Sequence, residues 1–255
     1  MKTKPIYPDL AGKVALVSGG ASGIGAAIVR HLHAQGSRVA FVDIDDRAAR
    51  ALCEELGAAP GVAPFYQRCD LTQLDQLHQA IAAVMELWGP VDVLVNNAAF
   101  DGRHSIASVT PDDWDRRMAI NLRHYFFAIQ GVLPGMAKQG AGSVINFSST
   151  SWKIKNGNYP LYATAKAACH GMTRAMARDV GAMGVRINTV TPGWVMTEKQ
   201  LALHLDEEGK RDIARNQCLP GPVMPDDLAA MVLFLASEAS QMCTAQEFVV
   251  DGGWT

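Results

Sequence analysis

Short apolar runs alternate along this chain with longer segments in which apolar residues recur at helical spacing. The first run, residues 14–17, is unbroken, which is typical of a strand covered on both faces of a sheet. A glycine-rich turn and a helical pattern ending near Gly36 follow it. Strands that alternate with helices in this way predict an α/β fold with a parallel sheet between two helical layers. The predicted strands are residues 14–17, 38–43, 64–68, 91–95, 143–147, 185–190 and 247–250.

Helix signals fill the segments between these runs. Thr110 is followed by Pro111 and two acidic residues, a start signal that predicts one long helix running past Asn121 and Phe126. Further helices are predicted after the glycine turn and over residues 46–56, 73–88, 162–178 and 226–236. Six histidines are expected on helix surfaces: His31, His33, His78, His124, His170 and His204.

Length and composition fit one large domain. The chain has 255 residues, of which 49% are hydrophobic and 19% are charged, and this is enough apolar material for a well-covered core. We therefore interpret residues 1–255 as a single domain with a short tail at residues 1–10. The mixed stretch at residues 194–225 contains several glycines and prolines and is interpreted as a substrate lid.

Charge and cysteine content argue against several functions. The net charge is −2 without a run of lysine or arginine, so neither nucleic acid nor a membrane surface is an expected partner. No apolar segment approaches the roughly 18 residues of a spanning helix, and no signal-peptide pattern is visible, so we expect a cytoplasmic protein. The five cysteines are scattered without a Cys-x-x-Cys pair, so neither a disulfide framework nor a metal site is expected.

The glycine turn carries the first chemical signal. Residues 18–25 read Ser-Gly-Gly-Ala-Ser-Gly-Ile-Gly and lie between a predicted strand and a predicted helix. Glycines allow a pyrophosphate to approach the backbone closely, and the free N–H groups of a helix N-terminus bind it. The alternative is a tight strand-to-helix turn that binds nothing.

Asp43 ends the second predicted strand, about 20 residues beyond the glycine turn, where a carboxylate suits the diol of a ribose. The same carboxylate would repel a 2′-phosphate, and Ile44 offers no positive charge to offset this repulsion. The pattern therefore favours NAD over NADP, although Arg47 could hold a phosphate. A helix-capping or solvated carboxylate is the alternative interpretation of Asp43.

Tyr162 and Lys166 lie four residues apart within a predicted helix, so their side chains share one face. At roughly 5 Å and an effective dielectric of about 20, the lysine charge would favour the phenolate by about 3 kcal/mol. This is about two pKa units, which would bring a phenol with a pKa of about 10 toward the range of a general base. The spacing alone is weak evidence and depends on the motifs around it.

In order and spacing, these motifs resemble those of the short-chain dehydrogenase/reductases from about residue 10 to the C-terminus. Such a resemblance implies a Rossmann-type doubly wound sheet of about seven strands and a nicotinamide cofactor. It also implies a homotetramer. The motifs that carry it are Ser18-Gly19-x-x-x-Gly23-Ile24-Gly25, Asp43, Asp70, Asn96-Asn97-Ala98, Asn121, Ser149, Tyr162-x-x-x-Lys166 and Pro192-Gly193.

The resemblance assigns catalytic roles to four residues. Tyr162 would be the general base, and Lys166 would lower the pKa of Tyr162 and hold the nicotinamide ribose. Ser149 would hydrogen-bond the substrate oxygen, and Asn121 would keep a water-linked proton path from Lys166 to solvent. The cofactor would contact Gly19, Ser22, Gly23, Ile24, Asp43, Ile44, Asp70, Leu71, Asn97, Ala98, Tyr162, Lys166, Pro192, Gly193, Val195 and Thr197.

Two positions depart from the family pattern. Ala99 stands where a glycine is usual, and its methyl group could shift the approach of the cofactor. Ser18 stands where threonine is usual, but it keeps the hydroxyl that can bond the turn at residues 96–98.

Several short stretches are similar to bacterial aldose 1-dehydrogenases of the xylose and arabinose type, among them Asn121-Leu122-Arg123-His124 and the end Asp251-Gly252-Gly253-Trp254. This similarity implies oxidation of the anomeric hydroxyl of a sugar to a lactone with NAD. A sugar ring needs many polar partners and packs on aromatic faces, although a loop arginine or histidine is more often simply solvated. The substrate candidates are Arg103, His104, Ser151, Trp152, Asn158 and Trp194.

Two rival functions stay open. One is a reductase or dehydrogenase of another substrate, such as a sugar-acid ketone or a 3-oxoacyl thioester, with NAD or NADP. The other is a cofactor-sensing binding protein without catalysis. The intact set of Ser149, Tyr162 and Lys166 argues against the second.

Overall fold

The strand pattern of the sequence is confirmed by one seven-stranded sheet. A computed structural model describes residues 5–155, 157–203 and 206–255. The strand order is β3-β2-β1-β4-β5-β6-β7, and every pair is parallel. The strands are β1 Val14–Ser18, β2 Arg38–Asp43, β3 Phe65–Arg68, β4 Val93–Asn96, β5 Gly142–Phe147, β6 Val185–Pro192 and β7 Glu247–Val250.

Helices cover both faces of this sheet. Alternate residues of β1 divide between two hydrophobic clusters, with Ala15 and Val17 in one and Val14 and Leu16 in the other. The first cluster includes α1 and α9, and the second includes α3, α5 and α6. This two-sided burial explains why residues 14–17 of β1 form an unbroken apolar run. The α-helices are α1 Gly23–Ala34, α2 Asp46–Gly57, α3 Leu74–Trp88, α4 Pro111–Met118, α5 His124–Gln139, α6 Pro160–Gly181, α7 Glu198–Leu203, α8 Glu207–Asn216 and α9 Pro225–Ala236.

The helix predicted from Thr110 onward is interrupted, which corrects the sequence interpretation. Thr110 caps α4 through its bond from the Asp113 N–H, as its position indicates. Between α4 and α5 the backbone forms a π-helical segment at Ala119–Arg123. The N–H of His124 there bonds the carbonyl of Ala119, five residues back. Segments of this kind insert an extra residue into a helix and are frequent at functional sites.

The expectation that the histidines lie on helix surfaces is wrong for three of them. His31, His33 and His124 are 4%, 3% and 0% exposed. The two histidines of α1 are buried because that helix packs against both the sheet and the neighbouring helix α9. His78 is exposed as predicted. His204 lies outside the described residues, as do residues 1–4 of the predicted tail and residues 204 and 205 of the predicted lid.

The rest of the predicted tail and lid has defined secondary structure. Residues Pro8–Leu10 form a 3-10 turn that buries Leu10 in the core. The predicted lid contains α7 and α8. Among the described residues, no helix has both the length and the apolar character needed to cross a membrane.

Candidate active site

The residues that follow β1, β4, β5 and β6 line one cavity of about 1090 Å³ at the carboxyl edge of the sheet. In an open parallel sheet, ligands bind at this edge, where the strand order reverses. The reversal here lies between β1 and β4, which are neighbours in the sheet. Every position that the sequence analysis assigns to the cofactor lines this cavity.

The glycine turn is shaped for close approach of a ligand. Gly19 and Gly23 have φ angles of +66° and +53°, a region that residues with side chains rarely adopt. A Cβ atom at Gly19 would lie 2.9 Å from the Cα of Ala98, and one at Gly25 would collide with the Gly19 carbonyl. The side chain of Ser22 at the start of α1 makes no capping hydrogen bond to the helix. It therefore does not occupy the first N–H groups of the helix, which can bind an anion. These residues fit a dinucleotide pyrophosphate.

Ser18 and Asn97 fasten the turn to the end of β4. The hydroxyl oxygen of Ser18 accepts from the N–H groups of Asn97 and Ala98 at 3.0 and 3.1 Å. The Asn97 amide donates to the carbonyls of Ser18 and Gly19 at 3.0 and 3.1 Å. The serine therefore bonds this turn as the sequence analysis expects.

The backbone holds the carboxylate of Asp43 in place. One carboxylate oxygen accepts from the Ala21 N–H at 3.0 Å. The other accepts from the N–H groups of Ile44 and Asp45 at 2.8 and 3.1 Å. Asp43 and Ile44 line the cavity, whereas the exposed Arg47 does not.

Ser149, Tyr162 and Lys166 lie together at the cavity wall. A hydrogen bond joins the side chains of Ser149 and Tyr162. The Lys166 Nζ lies 5.7 Å from the centroid of the Tyr162 ring. Ser149 follows β5, and the other two residues are adjacent on α6 by the i, i+4 spacing. The hydroxyl of Ser149, the phenol of Tyr162 and the ammonium of Lys166 therefore lie close to one another.

Electrostatics at Tyr162 differ from the sequence-based expectation. Burial raises the pKa of Tyr162, and this effect outweighs the hydrogen bond from Ser149, which lowers it. Burial also lowers the pKa of Lys166 to about 8. The Lys166 ammonium donates instead to the Tyr125 hydroxyl at 2.9 Å and to the Phe147 carbonyl at 2.8 Å. The lysine alone therefore does not make Tyr162 a stronger acid in this structure.

The side chain of Asn121 bonds the loop after β4, and the water-linked proton path assigned to this residue stays a prediction. It lies in the π-helical segment, is fully buried and does not line the cavity. Its amide oxygen accepts from the Phe100 N–H at 2.8 Å. Its amide nitrogen donates to the carbonyls of Phe100 and Arg117 at 3.1 and 3.0 Å. The Asn121 side chain thus braces the loop after β4 and makes no bond to Lys166.

Three of the six substrate candidates line the cavity. Arg103 stacks over the Tyr159 ring at 4.1 Å, and Trp194 donates its indole N–H to Gln200 at 2.9 Å. Ser151 is 6% exposed, and its hydroxyl has no hydrogen-bond partner among the described residues. A buried polar group usually has a partner, so this hydroxyl is well suited to bond a ligand.

The other three candidates, His104, Trp152 and Asn158, do not line the cavity. Both ring nitrogens of His104 are engaged, at 2.9 Å with the Gly102 carbonyl and at 3.2 Å with the Leu161 N–H. The Trp152 ring packs 5.3 Å from the His170 ring. Asn158 is exposed with φ of +70°. These three residues were chosen for their residue type and their position in the chain. The local backbone geometry directs their side chains away from the cavity.

Several lining residues have no signal in the sequence motifs. Asp212 and Trp254 reach the cavity from α8 and from the end of the chain. Tyr159 lines the cavity with its ring 5.7 Å from the Tyr162 ring. Tyr125 is fully buried behind Lys166. Tyr125 does not itself line the cavity, and no sequence motif pointed to it.

Comparison with known proteins agrees with this geometry. A family model described as enoyl-(acyl carrier protein) reductase matches residues 19–255. The chain is 47% identical over 249 residues to D-xylose 1-dehydrogenase of Caulobacter vibrioides, with 98% of each chain covered. It is 43% identical over 247 residues to a protein of Rhizobium meliloti described as probable galactose dehydrogenase, with 97% of this chain and 96% of that one covered.

Two solved structures are also similar. A blue fluorescent protein from a metagenomic library, in complex with NADPH, is 39% identical with a TM-score of 0.88, covering 97% of this chain and 99% of that one. A short-chain type dehydrogenase/reductase from Mycobacterium ulcerans is 29% identical with a TM-score of 0.90, covering 96% and 90%.

The chain belongs to the short-chain dehydrogenase/reductase family. It is an oxidoreductase that acts on CH–OH groups.

Proposed function

We propose that this enzyme oxidises the anomeric hydroxyl of a cyclic aldose to the lactone, with NAD as cofactor and Tyr162 as general base. The observation that carries the proposal is the meeting of Ser149, Tyr162 and Lys166 in a cavity that the Ser151 hydroxyl also lines, without a partner in the part of the chain that the structure describes. The sugar substrates in the names of two relatives support an aldose.

Oxidation removes a hydride from the anomeric carbon and a proton from its hydroxyl. When bound, the oxidised cofactor supplies the hydride acceptor and a positive charge near the reacting atoms. Tyr162 takes the hydroxyl proton, and Ser149 donates a hydrogen bond to the sugar oxygen as negative charge develops there. Because burial raises the pKa of Tyr162, the phenolate needs the positive charge of Lys166 beside it.

NAD is proposed over NADP because of the residues at the end of β2. The Asp43 carboxylate is fixed by three backbone N–H groups beside the cavity, and it would accept from a ribose diol and repel a 2′-phosphate. Arg68, a nearby cation, is engaged with the Ile44 carbonyl at 2.7 Å and with Asp46 at 2.8 Å. The NADPH bound to a 39% identical protein is the reason to test both cofactors.

Further expectations extend this proposal to the rest of the chain. Trp194, Thr197, Gln200 and Asp212 of the 194–225 segment line the cavity, which supports its role as a substrate lid within a single domain. We also propose that the protein is a homotetramer, as the family resemblance implies, and that it is cytoplasmic, as the sequence pattern predicts. The exposed Trp114 and Phe126 rings near the π-helical segment support an interface there.

A panel assay tests the proposal directly. Purified protein is mixed with NAD or NADP and with D-xylose, L-arabinose, D-galactose or D-glucose, and the absorbance of reduced nicotinamide is followed. We expect turnover of at least one aldose with NAD and the lactone as first product, identified by mass spectrometry.

The same panel includes the rival substrates. Reduction of a 3-oxoacyl thioester or a sugar-acid ketone, without aldose oxidation, would assign a different substrate class; the description of the matching family model makes an acyl thioester the relevant rival. Cofactor binding without turnover of any substrate would assign a sensing function.

A further inference from the structure

Lys166 has protein partners that the family motif does not specify. Its side chain belongs to α6 and is 1% exposed. The ammonium donates to the Tyr125 hydroxyl of α5 at 2.9 Å and to the Phe147 carbonyl of β5 at 2.8 Å. It also lies 5.0 Å from the centroid of the Tyr125 ring. The ammonium of Lys166 therefore lies close to two tyrosine rings, and Tyr125, unlike Tyr162, does not itself line the cavity.

The Tyr125 hydroxyl is oriented to accept from this lysine. Its oxygen lies 3.1 Å from the Phe147 carbonyl and 3.4 Å from the Ala98 carbonyl. A phenol has one proton, and once this proton is donated to a carbonyl, the oxygen presents a lone pair to the ammonium. Burial raises the pKa of Tyr125, so the hydroxyl keeps its proton at neutral pH.

We propose that Tyr125 is a positioning residue for catalysis, whose hydroxyl holds the buried Lys166 side chain beside Tyr162 and keeps it charged. The proposal rests on the proposed roles of Tyr162 and Lys166. It adds a residue that acts on the lysine without touching the substrate or the cofactor.

The other titratable groups that face Lys166 do not replace Tyr125. They are Tyr162 and Cys169 on its own helix and His124 on α5. Burial raises the pKa of Cys169 to about 11 and lowers the pKa of His124 to about 3, so both are neutral between these values. Strand β5 contributes the Phe147 carbonyl and no ionisable group to the lysine.

Loss of the Tyr125 oxygen should therefore favour the neutral lysine. Burial already lowers the pKa of Lys166 to about 8. A hydrogen bond to a charged group contributes enough to shift a pKa by about one unit. In Tyr125→Phe the pKa of Lys166 should fall further. The substitution removes an acceptor that stabilises the charged lysine and so makes the neutral form relatively more favourable.

The test measures this pKa without any substrate or cofactor. Protein labelled with ¹³C at lysine Cε is titrated by NMR, and the Lys166 signal is assigned by its loss in Lys166→Met. We expect Tyr125→Phe to lower the midpoint by about one unit. The matched control is Ser143→Ala, which removes a buried hydroxyl bonded to the Leu235 carbonyl at 2.7 Å and should leave the midpoint unchanged. An equal midpoint in Tyr125→Phe and wild type would overturn the proposal.

A second variant covers the case in which Tyr125→Phe fails to fold. Site-specific 3-fluorotyrosine at position 125 keeps the shape but makes the oxygen a weaker acceptor, so the midpoint should move in the same direction by a smaller amount. An unchanged midpoint with this side chain would also contradict the proposal.

The kinetic counterpart is a pH profile on the aldose found in the panel assay. In Tyr125→Phe, kcat at neutral pH should fall about 10-fold, and its acid limb should move to higher pH, because a less charged lysine leaves the Tyr162 pKa higher. Loss of folding alone would lower kcat equally at every pH. If no aldose is oxidised, the proposed function fails, but the NMR midpoints still decide the role of Tyr125.

Discussion

Tyr162 cannot act as a base through its own properties. Burial raises its pKa, and the nearby lysine is bonded to Tyr125 and Phe147. A buried phenol is a poor proton acceptor unless positive charge accumulates beside it. The proposed role of Tyr162 as base would therefore depend on the assembled site, and the i, i+4 spacing of Tyr162 and Lys166 would provide only part of the required charge.

Replacement of Tyr162 tests this role with the smallest possible change. Tyr162→Phe should lower kcat for aldose oxidation by at least about 100-fold and leave the Kd for NAD within about threefold, measured by steady-state kinetics and calorimetry. The control is Tyr7→Phe, because Tyr7 packs against the core beside α1 and lies away from the cavity. Turnover near the wild-type value in Tyr162→Phe would remove the assigned base.

Ser151 offers a second test at the scale of one atom. Its buried hydroxyl has no partner among the described residues, so Ser151→Ala should leave the melting temperature unchanged or slightly higher, since an unsatisfied buried group costs free energy. If the hydroxyl bonds the sugar, KM for the aldose should rise about fivefold, the equivalent of roughly 1 kcal/mol for one hydrogen bond. Unchanged KM together with a lower melting temperature would show a structural role instead.

At the scale of elements, the π-helical segment is the feature that shapes the site most. It carries Asn121, whose side chain makes three hydrogen bonds to the backbone of Phe100 and Arg117. The loop after β4 that it braces contributes Phe100, Asp101 and Arg103 to the cavity. A local shift in helix geometry is thereby coupled to the shape of this part of the cavity, where we propose that the substrate binds.

Asn121→Ala tests this coupling. Loss of three buried hydrogen bonds should cost about 2–3 kcal/mol, which corresponds to a fall of about 5–10 °C in melting temperature for a chain of this size. KM for the aldose should rise more than the Kd for NAD, because the loop lies on the substrate side. Thermal unfolding and kinetics measure both effects. A large loss of kcat at unchanged melting temperature would favour the predicted proton path instead.

The elements differ in how far the sequence could predict them. Short apolar runs mark the strands, so residues 38–43 and 247–250 were predicted with the observed ends, although the first is buried over most of its length and the second lies at the sheet edge and is only partly buried. The π-helical segment was not predictable, because a shift from i→i−4 to i→i−5 bonding depends on packing between helices and leaves no periodicity signal. His31 and His33 were misplaced because the sequence does not show that α9 covers α1.

The site shows the same division between local motif and tertiary placement. Gly19 and Asp43, which were found from their spacing, and Asn97, which the family resemblance implied, do line the cavity. Trp152 was selected for its ring, but the 3-10 turn at Thr150–Trp152 places the ring against His170. Side-chain direction in short turns is set by contacts that residue order does not reveal.

At the scale of the whole molecule, the cavity joins residues from both halves of the sheet. Gly19 and Asp43 lie at the ends of β1 and β2, and Gly193 and Thr197 lie beyond β6. A bound dinucleotide would therefore link segments far apart in the chain and should stabilise the entire fold by mass action. A ligand at about 100 times its Kd adds about 2.7 kcal/mol, or about 5–10 °C in melting temperature.

This linkage gives a test of cofactor choice that needs no substrate. At equal concentrations, NAD should raise the melting temperature more than NADP, because the fixed Asp43 carboxylate repels the 2′-phosphate. Asp43→Asn removes the repulsion while it keeps the shape of the side chain. The difference between the rises in melting temperature with NAD and with NADP should therefore be smaller in this variant. Each rise is measured against the same variant without ligand. Equal or larger stabilisation of the unmutated protein by NADP would contradict the assignment of NAD. It would also mean that a cation near this end of the cavity, such as Arg47, reaches the phosphate and offsets Asp43.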